Sequence, residues 1–403
     1  MATQHINKAT LFHFILLLLF IISYFEYFFR GSGLAMLAIE LFLVLIGLLV
    51  YGHELKSRSL IVSYSFILGT FWVCLLQTLS NPDASVFFGP SQVVFLFAFL
   101  TLGVAVRERI LELFVIIMLI ISLYSIIIYG ICFFIPSVKE FLMTSIAPKC
   151  VSLGAERALQ EGGGVNIIIY NFQLDSPWIK ISRNCGPFWE PGMFAVFINL
   201  AFFLNVFFLR RKGIANVVFI IALLTTMSAG GYIGGLFIIA CYAILENRNY
   251  FLSFFVLSLL IVLSVLFMSY DILGEKLISQ ISNASVGSDE SRFGALLTHL
   301  KIFCDHPLWG YFGIKGYAKE TDTLASGLLV PLSSRGIIVG GLYYYLLFRT
   351  SVNYSLLYTN KKRAGICLFF LILLLSFSQT ILMTSCFLVF VFAGQSVLNT
   401  KKK

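Results

Sequence analysis

Apolar runs of bilayer length, each ended by charged or turn residues, recur along the whole chain. Crossing a bilayer as a helix takes roughly 20 such residues. Reading the runs on that basis predicts about twelve spans, with cores near 11–29, 34–51, 60–79, 91–106, 113–135, 191–209, 214–228, 232–246, 250–270, 325–348, 364–379 and 382–398. The first follows Lys8 like the start of a signal peptide. It continues through aromatic residues to Phe29 without a small-residue cleavage site, so it reads as an uncleaved span. The small turn Ser228-Ala229-Gly230-Gly231-Tyr232 makes the boundary between the seventh and eighth spans the loosest. Between the fifth and sixth spans, and between the ninth and tenth, two long segments remain at about 136–190 and 271–324.

Composition removes the soluble alternatives. Of 403 residues, 59% are apolar and 12% charged, and mean hydropathy is +0.94. A soluble domain carries about 25% charged residues. The expected fold is therefore an all-α, polytopic transmembrane bundle, a single membrane domain over 1–403.

Charge then orients the bundle. One set of alternating loops and ends holds Lys8, Lys56, Arg58, Arg107, Arg109, Arg210, Arg211, Lys212, Arg248, Arg349, Lys361, Lys362, Arg363 and the lysines at 401–403. These are 16 of the 28 basic residues, against four acids, Glu54, Glu108, Glu112 and Glu246. Basic residues concentrate in cytoplasmic loops, so this side is read as cytoplasmic, with both termini on it. The net charge of +9 is then a topology signal, not a sign of a nucleic-acid partner. Both long segments fall on the outer side. The first has five basic and five acidic residues and the second five and seven, so an anion there would be held by particular side chains. Loops of this length carry function more often than they merely connect.

The first loop closes on Arg183-Asn184-Cys185-Gly186-Pro187-Phe188-Trp189-Glu190-Pro191-Gly192 and runs straight into the sixth span. Proline suits the first turn of a helix, which places Glu190 at the N-cap, beside the positive helix end. Arg183 is close enough in sequence to reach the same surface. Such a pair at a membrane boundary could bind a lipid-linked diphosphate and deprotonate a hydroxyl, or it could be a structural ion pair. In the second loop, Phe293, Leu296, Leu297, Leu300 and Phe303 recur at helical spacing behind Arg292. This reads as an amphipathic helix on the membrane surface or packed on the bundle, stopped by Asp305-His306-Pro307-Leu308-Trp309-Gly310. His306 could be a base or a turn residue, and Asp322 could orient an acceptor or cap a helix. Glu26 and Glu40 are ionisable groups in or near lipid, which are functional suspects. Cys150 and Cys185 share the outer side, where a disulfide is permitted but not fixed by anything in the sequence. No Cys/His spacing resembles a metal site, and no protein-bound metal or cofactor is expected.

Arg183-x-x-Gly186-x-Phe188-x-Glu190-Pro191-Gly192 resembles the segment before a mid-chain helix in Wzy-type O-antigen polymerases. Ser291-Arg292 with its helix and His306-Pro307-Leu308-x-Gly310 resembles the second outer loop of the wider O-antigen polymerase and ligase superfamily. The number of spans and the two large outer loops match as well. The resemblance implies a GT-C-like, membrane-embedded glycosyltransferase of the bacterial inner membrane. Its substrate would be undecaprenyl-diphosphate-linked oligosaccharide within membrane lipid, with no nucleotide sugar, and a chain-length regulator would be a partner. Carried over residue by residue, Arg183 and Arg292 would stabilise the leaving diphosphate and Glu190 would orient or deprotonate the acceptor, with His306 and Asp322 as further substrate contacts. The His-Asn pair of the ligase branch is missing, since the corresponding stretch reads Thr321-Asp322-Thr323. The turn at 228–231 lacks an arginine often found there and is assigned no catalytic role. An O-antigen ligase and a flippase of the same lipid-linked sugars are the competing readings. No internal repeat of the kind transporters show is found, and the polar interest gathers in the outer loops.

Overall fold

The computed structural model describes residues 33–80, 88–147, 165–167, 170–172, 183–188, 190–211, 213–246, 292–311 and 326–397. They form twelve helices. These are α1 (Gly33–Leu55), α2 (Ile61–Ser80), α3 (Phe88–Val106), α4 (Ile110–Phe134), α5 (Pro136–Phe141), α6 (Pro191–Leu204), α7 (Gly213–Thr226), α8 (Ala229–Leu245), α9 (Arg292–Asp305), α10 (Val330–Thr359), α11 (Arg363–Ser378) and α12 (Ser385–Ser396). A two-stranded antiparallel hairpin, β1 (Val165–Asn166) with β2 (Asn171–Phe172), is the one departure from helix among the described ladders. Ten of the expected spans fall wholly or almost wholly on described residues, and each overlaps a helix. The first and ninth, near 11–29 and 250–270, lie outside the described residues. Four helical stretches, Arg58–Leu79, Gly89–Val106, Ile110–Phe134 and Pro191–Leu209, are long and apolar enough to cross a membrane.

The chain sorts its helices by how completely they are wrapped. All fourteen side chains of α6 are buried, and the helix packs against α4, α7, α8 and α11. A helix apolar all round belongs in the middle of such a bundle. By contrast, α1, α2 and α4 keep large aliphatic side chains exposed, among them Leu49, Leu79 and Ile127. Close approach of α8 to α6 depends on glycine. A Cβ on Gly231 would stand 2.5 Å from the Ala195 Cβ, and one on Gly234 would stand 3.1 Å from the Asn199 amide. Small residues on one helix face let two backbones meet, and interhelical hydrogen bonds then bind them. Asn199 Nδ2 donates to Gly231 O at 2.8 Å.

The tenth expected span is not one straight helix. It is broken at Gly336 (φ 70°, ψ −177°), a conformation open essentially to glycine alone, and it runs on to Thr359. The turn at 306–310 lies backbone to backbone on this break. Ile337 N donates to Pro307 O at 2.7 Å, Tyr311 N to Ser333 O at 2.9 Å, and Gln77 Nε2 reaches Trp309 O at 2.9 Å.

Candidate functional site

The site is built at the start of α6. Glu190 is the N-cap, in extended conformation (φ −146°, ψ 154°), with Pro191 at the first helical position, as the sequence predicts. Its side chain makes no capping hydrogen bond to the helix.

Arg183 is fixed by the end of another helix. The last carbonyls of α7 have no partner within their own helix. Arg183 Nε donates to Thr226 O at 3.2 Å, and Asn184 N donates to Thr225 O at 3.0 Å. The loop thereby caps α7, placing a cation where the helix dipole favours one. Asn184 locks the arrangement. Its amide donates to Thr225 Oγ1 at 2.9 Å, while its Oδ1 accepts from Gly186 N at 3.0 Å and from the Tyr170 hydroxyl at 3.2 Å. Gly186 takes φ +53° and lies against the Phe194 ring, where a Cβ would approach to 3.2 Å. The hairpin supports the segment from behind: Asn171 N donates to Gly186 O and Asn171 Nδ2 to Phe188 O.

Arg292 begins α9 and lies against the start of α8. Its Nη1 lies 3.5 Å from where a Cβ on Gly230 would be, with Ser378 Oγ 2.9 Å from that point. Burial lowers the Arg292 guanidinium below its usual range, and the Glu190 carboxylate pulls it back. Burial also lowers Arg183, which is then raised by Cys185 and Glu190 and lowered again by Arg292. The charges of these three residues thus act on one another. Helices α6 and α8 both begin here, the second capped by Ser228 Oγ, which accepts from Gly231 N. Two guanidinium groups and two helix N-termini near one carboxylate are an arrangement that could hold an anion beside a proton acceptor.

The remaining candidates fall elsewhere. His306 is exposed, stacks on Tyr311 at 4.7 Å, and closes the far end of α9, roughly 20 Å along the axis from Arg292 at 1.5 Å per residue. It shapes the turn against α10. Asp322, Glu26 and Cys150 lie outside the described residues, and Cys185 is fully buried. Glu40 is buried on α1, away from the cluster in sequence and element. Helix α9 forms as expected but does not pack by its large apolar stripe. Gly294, Ala295, Thr298, His299 and Ile302 are buried, while Phe293, Leu297 and Leu300 stay about 40% exposed. Among the described residues, no three His, Cys, Asp or Glu side chains gather into a possible metal site.

Sequence reasoning missed four contributors. Asn184 lay inside the quoted motif without a role. Gly230 was set aside, yet its missing side chain is the space that Arg292 and Ser378 fill. Lys139 shares a small cavity with Arg183, Tyr129 and Tyr170. Gln379, just past the end of α11, is 5% exposed and lies over Gly192. Its only signal was a polar Ser-Gln-Thr step between two apolar runs. Compared with known proteins, the chain matches no family model and no curated sequence.

Proposed function

We propose that this protein polymerises lipid-linked oligosaccharide repeats of the O-antigen type, acting as a roughly twelve-span enzyme at the outer face of a bacterial inner membrane with both termini cytoplasmic. The observation that carries the reading is that residues from two distant loops meet the same helix ends: Glu190 is the N-cap of α6, Arg292 lies against Gly230 in the first turn of α8, and Arg183 binds Thr226 O just before that helix. In this reaction Glu190 accepts the proton of an acceptor-sugar hydroxyl, whose oxygen attacks the anomeric carbon of the growing glycan. The bond from that carbon to the lipid diphosphate breaks, and the diphosphate leaves with the electron pair. Arg183 and Arg292 neutralise the charge that develops on it, an effect strongest where water is scarce. Holding donor and acceptor together supplies the rest of the acceleration.

The test is a lipopolysaccharide gel of the host strain with this gene deleted and then complemented. Deletion should collapse the ladder to core plus one repeat. Arg183→Ala, Arg292→Ala and Glu190→Gln should each fail to restore it, with transfer rates down at least about 100-fold. Bare core without the single repeat would instead indicate ligation or flipping, and an unchanged ladder would end the proposal.

A further inference from the structure

Ser378 and Gln379 join the two halves of the site. Ser378 Oγ stands with Arg292 over Gly230, on the side that would hold the diphosphate. Gln379 stands on the other side. A Cβ built on Gly192 would meet Gln379 Nε2 at 2.5 Å and Glu190 Oε1 at 3.5 Å, so carboxamide and carboxylate flank one small space above the first turn of α6. A Cβ at 192 would enter that space and displace the carboxamide.

The position of Gln379 is set by backbone. It follows the C-terminus of α11 in extended conformation (φ −152°, ψ 147°). Its carbonyl accepts from Ile381 N at 3.0 Å, while Gly327 N ties the neighbouring Ser376 O at 2.9 Å. Gly327 in turn packs against this segment, where a Cβ would come within 2.5 Å of the Thr380 Cα. The backbone on either side of Gln379 is thus held, which fixes where its side chain starts. Its group is neutral and carries both donors and an acceptor, which suits sugar hydroxyls, whereas the diphosphate side is served by guanidinium groups.

We infer that Gln379 is a substrate-positioning residue: its carboxamide hydrogen-bonds the acceptor sugar next to the hydroxyl that Glu190 deprotonates, and so fixes which hydroxyl is presented. The inference rests on the polymerase reading and names the acceptor side of the same site.

The experiment uses the full-length protein in lipid nanodiscs, with lipid-linked single repeat extracted from the deletion strain as the probe. Rate is measured against its concentration. Gln379→Ala should raise KM about 3- to 10-fold, the loss of one or two neutral hydrogen bonds, with kcat within a factor of about three. Gln379→Glu keeps the shape but replaces the donor with a second carboxylate, and should raise KM at least as much. Gly192→Ala, which pushes the carboxamide aside, should reproduce the Ala phenotype and serves as the reading if Gln379→Ala is lost from the membrane. A wild-type KM in Gln379→Glu, or in Gly192→Ala, means that Gln379 only packs and overturns the inference. The two levels separate cleanly. If Glu190→Gln and the arginine variants retain full turnover, the polymerase reading fails. If they lose it while the Gln379 and Gly192 variants behave as wild type, only the inference fails.

Discussion

At the scale of single residues, the molecule uses polar groups sparingly and buries several of them. His299, on the face of α9 turned to α10, is 1% exposed, and its Nδ1 meets Ser333 Oγ at 2.9 Å. Among the described residues its Nε2 has no hydrogen-bond partner. Burial lowers its pKa from the usual 6.5 to about 4, so the folded protein keeps this ring neutral where the unfolded chain protonates it. The unfolded state therefore binds the extra proton, and stability falls as pH drops from 6.5 toward 4, by up to about 3 kcal/mol. The thermal midpoint of purified protein should fall between pH 6.5 and 5, and His299→Gln should remove that part of the slope. An unchanged slope in the variant would assign it to other groups. The sequence revealed residues of this kind unevenly. Arg183, Glu190 and Arg292 stood out because charged residues beside apolar runs are conspicuous. Gln379 and Asn184 did not, because nothing in a one-dimensional pattern tells a neutral amide that spans two segments from one that faces water.

At the scale of elements, apolar run length located the helices, but it could not see where a helix is broken. Arg335 sits inside the tenth expected run and is 3% exposed, donating to Ser334 Oγ at 3.1 Å. The α10 backbone stops being helical directly after it. The break is held by two glycines of positive φ, Gly310 and Gly336, each packed on the backbone of the segment that carries the other. A Cβ on Gly336 would stand 2.1 Å from Leu308 O and 2.6 Å from Trp309 N, and backbone atoms cannot swing aside as a side chain can. Gly336→Ala should destabilise the fold by about 3 kcal/mol or more. Gly341→Ala, five residues on with nothing within 4 Å, should be neutral or stabilising by about 0.5–1 kcal/mol. Thermal midpoints and membrane levels of the two variants check this, and equal behaviour would refute the role given to the break. The His-Pro-Leu-Trp-Gly segment is thus legible as punctuation, while the partner it docks on, more than 20 residues later, is not.

At the scale of the whole molecule, charge separates into two jobs. The ion pairs Arg107–Glu54 at 3.3 Å, Arg210–Glu246 at 2.9 Å and Arg211–Glu112 all lie in the loops expected to be cytoplasmic. Partly exposed pairs of this kind contribute about 0–1 kcal/mol each, so they do more to fix helix ends than to stabilise. The opposite loops carry the cluster of Arg183, Glu190 and Arg292. Alkaline phosphatase fused after residue 147 should therefore be active, and fused after residue 211 inactive. Activity at the second position would invert the orientation and put the cluster on the wrong face for the proposed chemistry. The segments that make the cluster are also spread through the order of synthesis. Arg183 and Glu190 leave the ribosome first, Gly230 follows, then Arg292, and Ser378 with Gln379 comes nearly last. A nascent chain consequently holds both guanidinium groups and the carboxylate long before Ser378 and Gln379, which complete the cluster. On the polymerase reading proposed above, lipid carrier would meet a complete site only after the final helical pair has inserted.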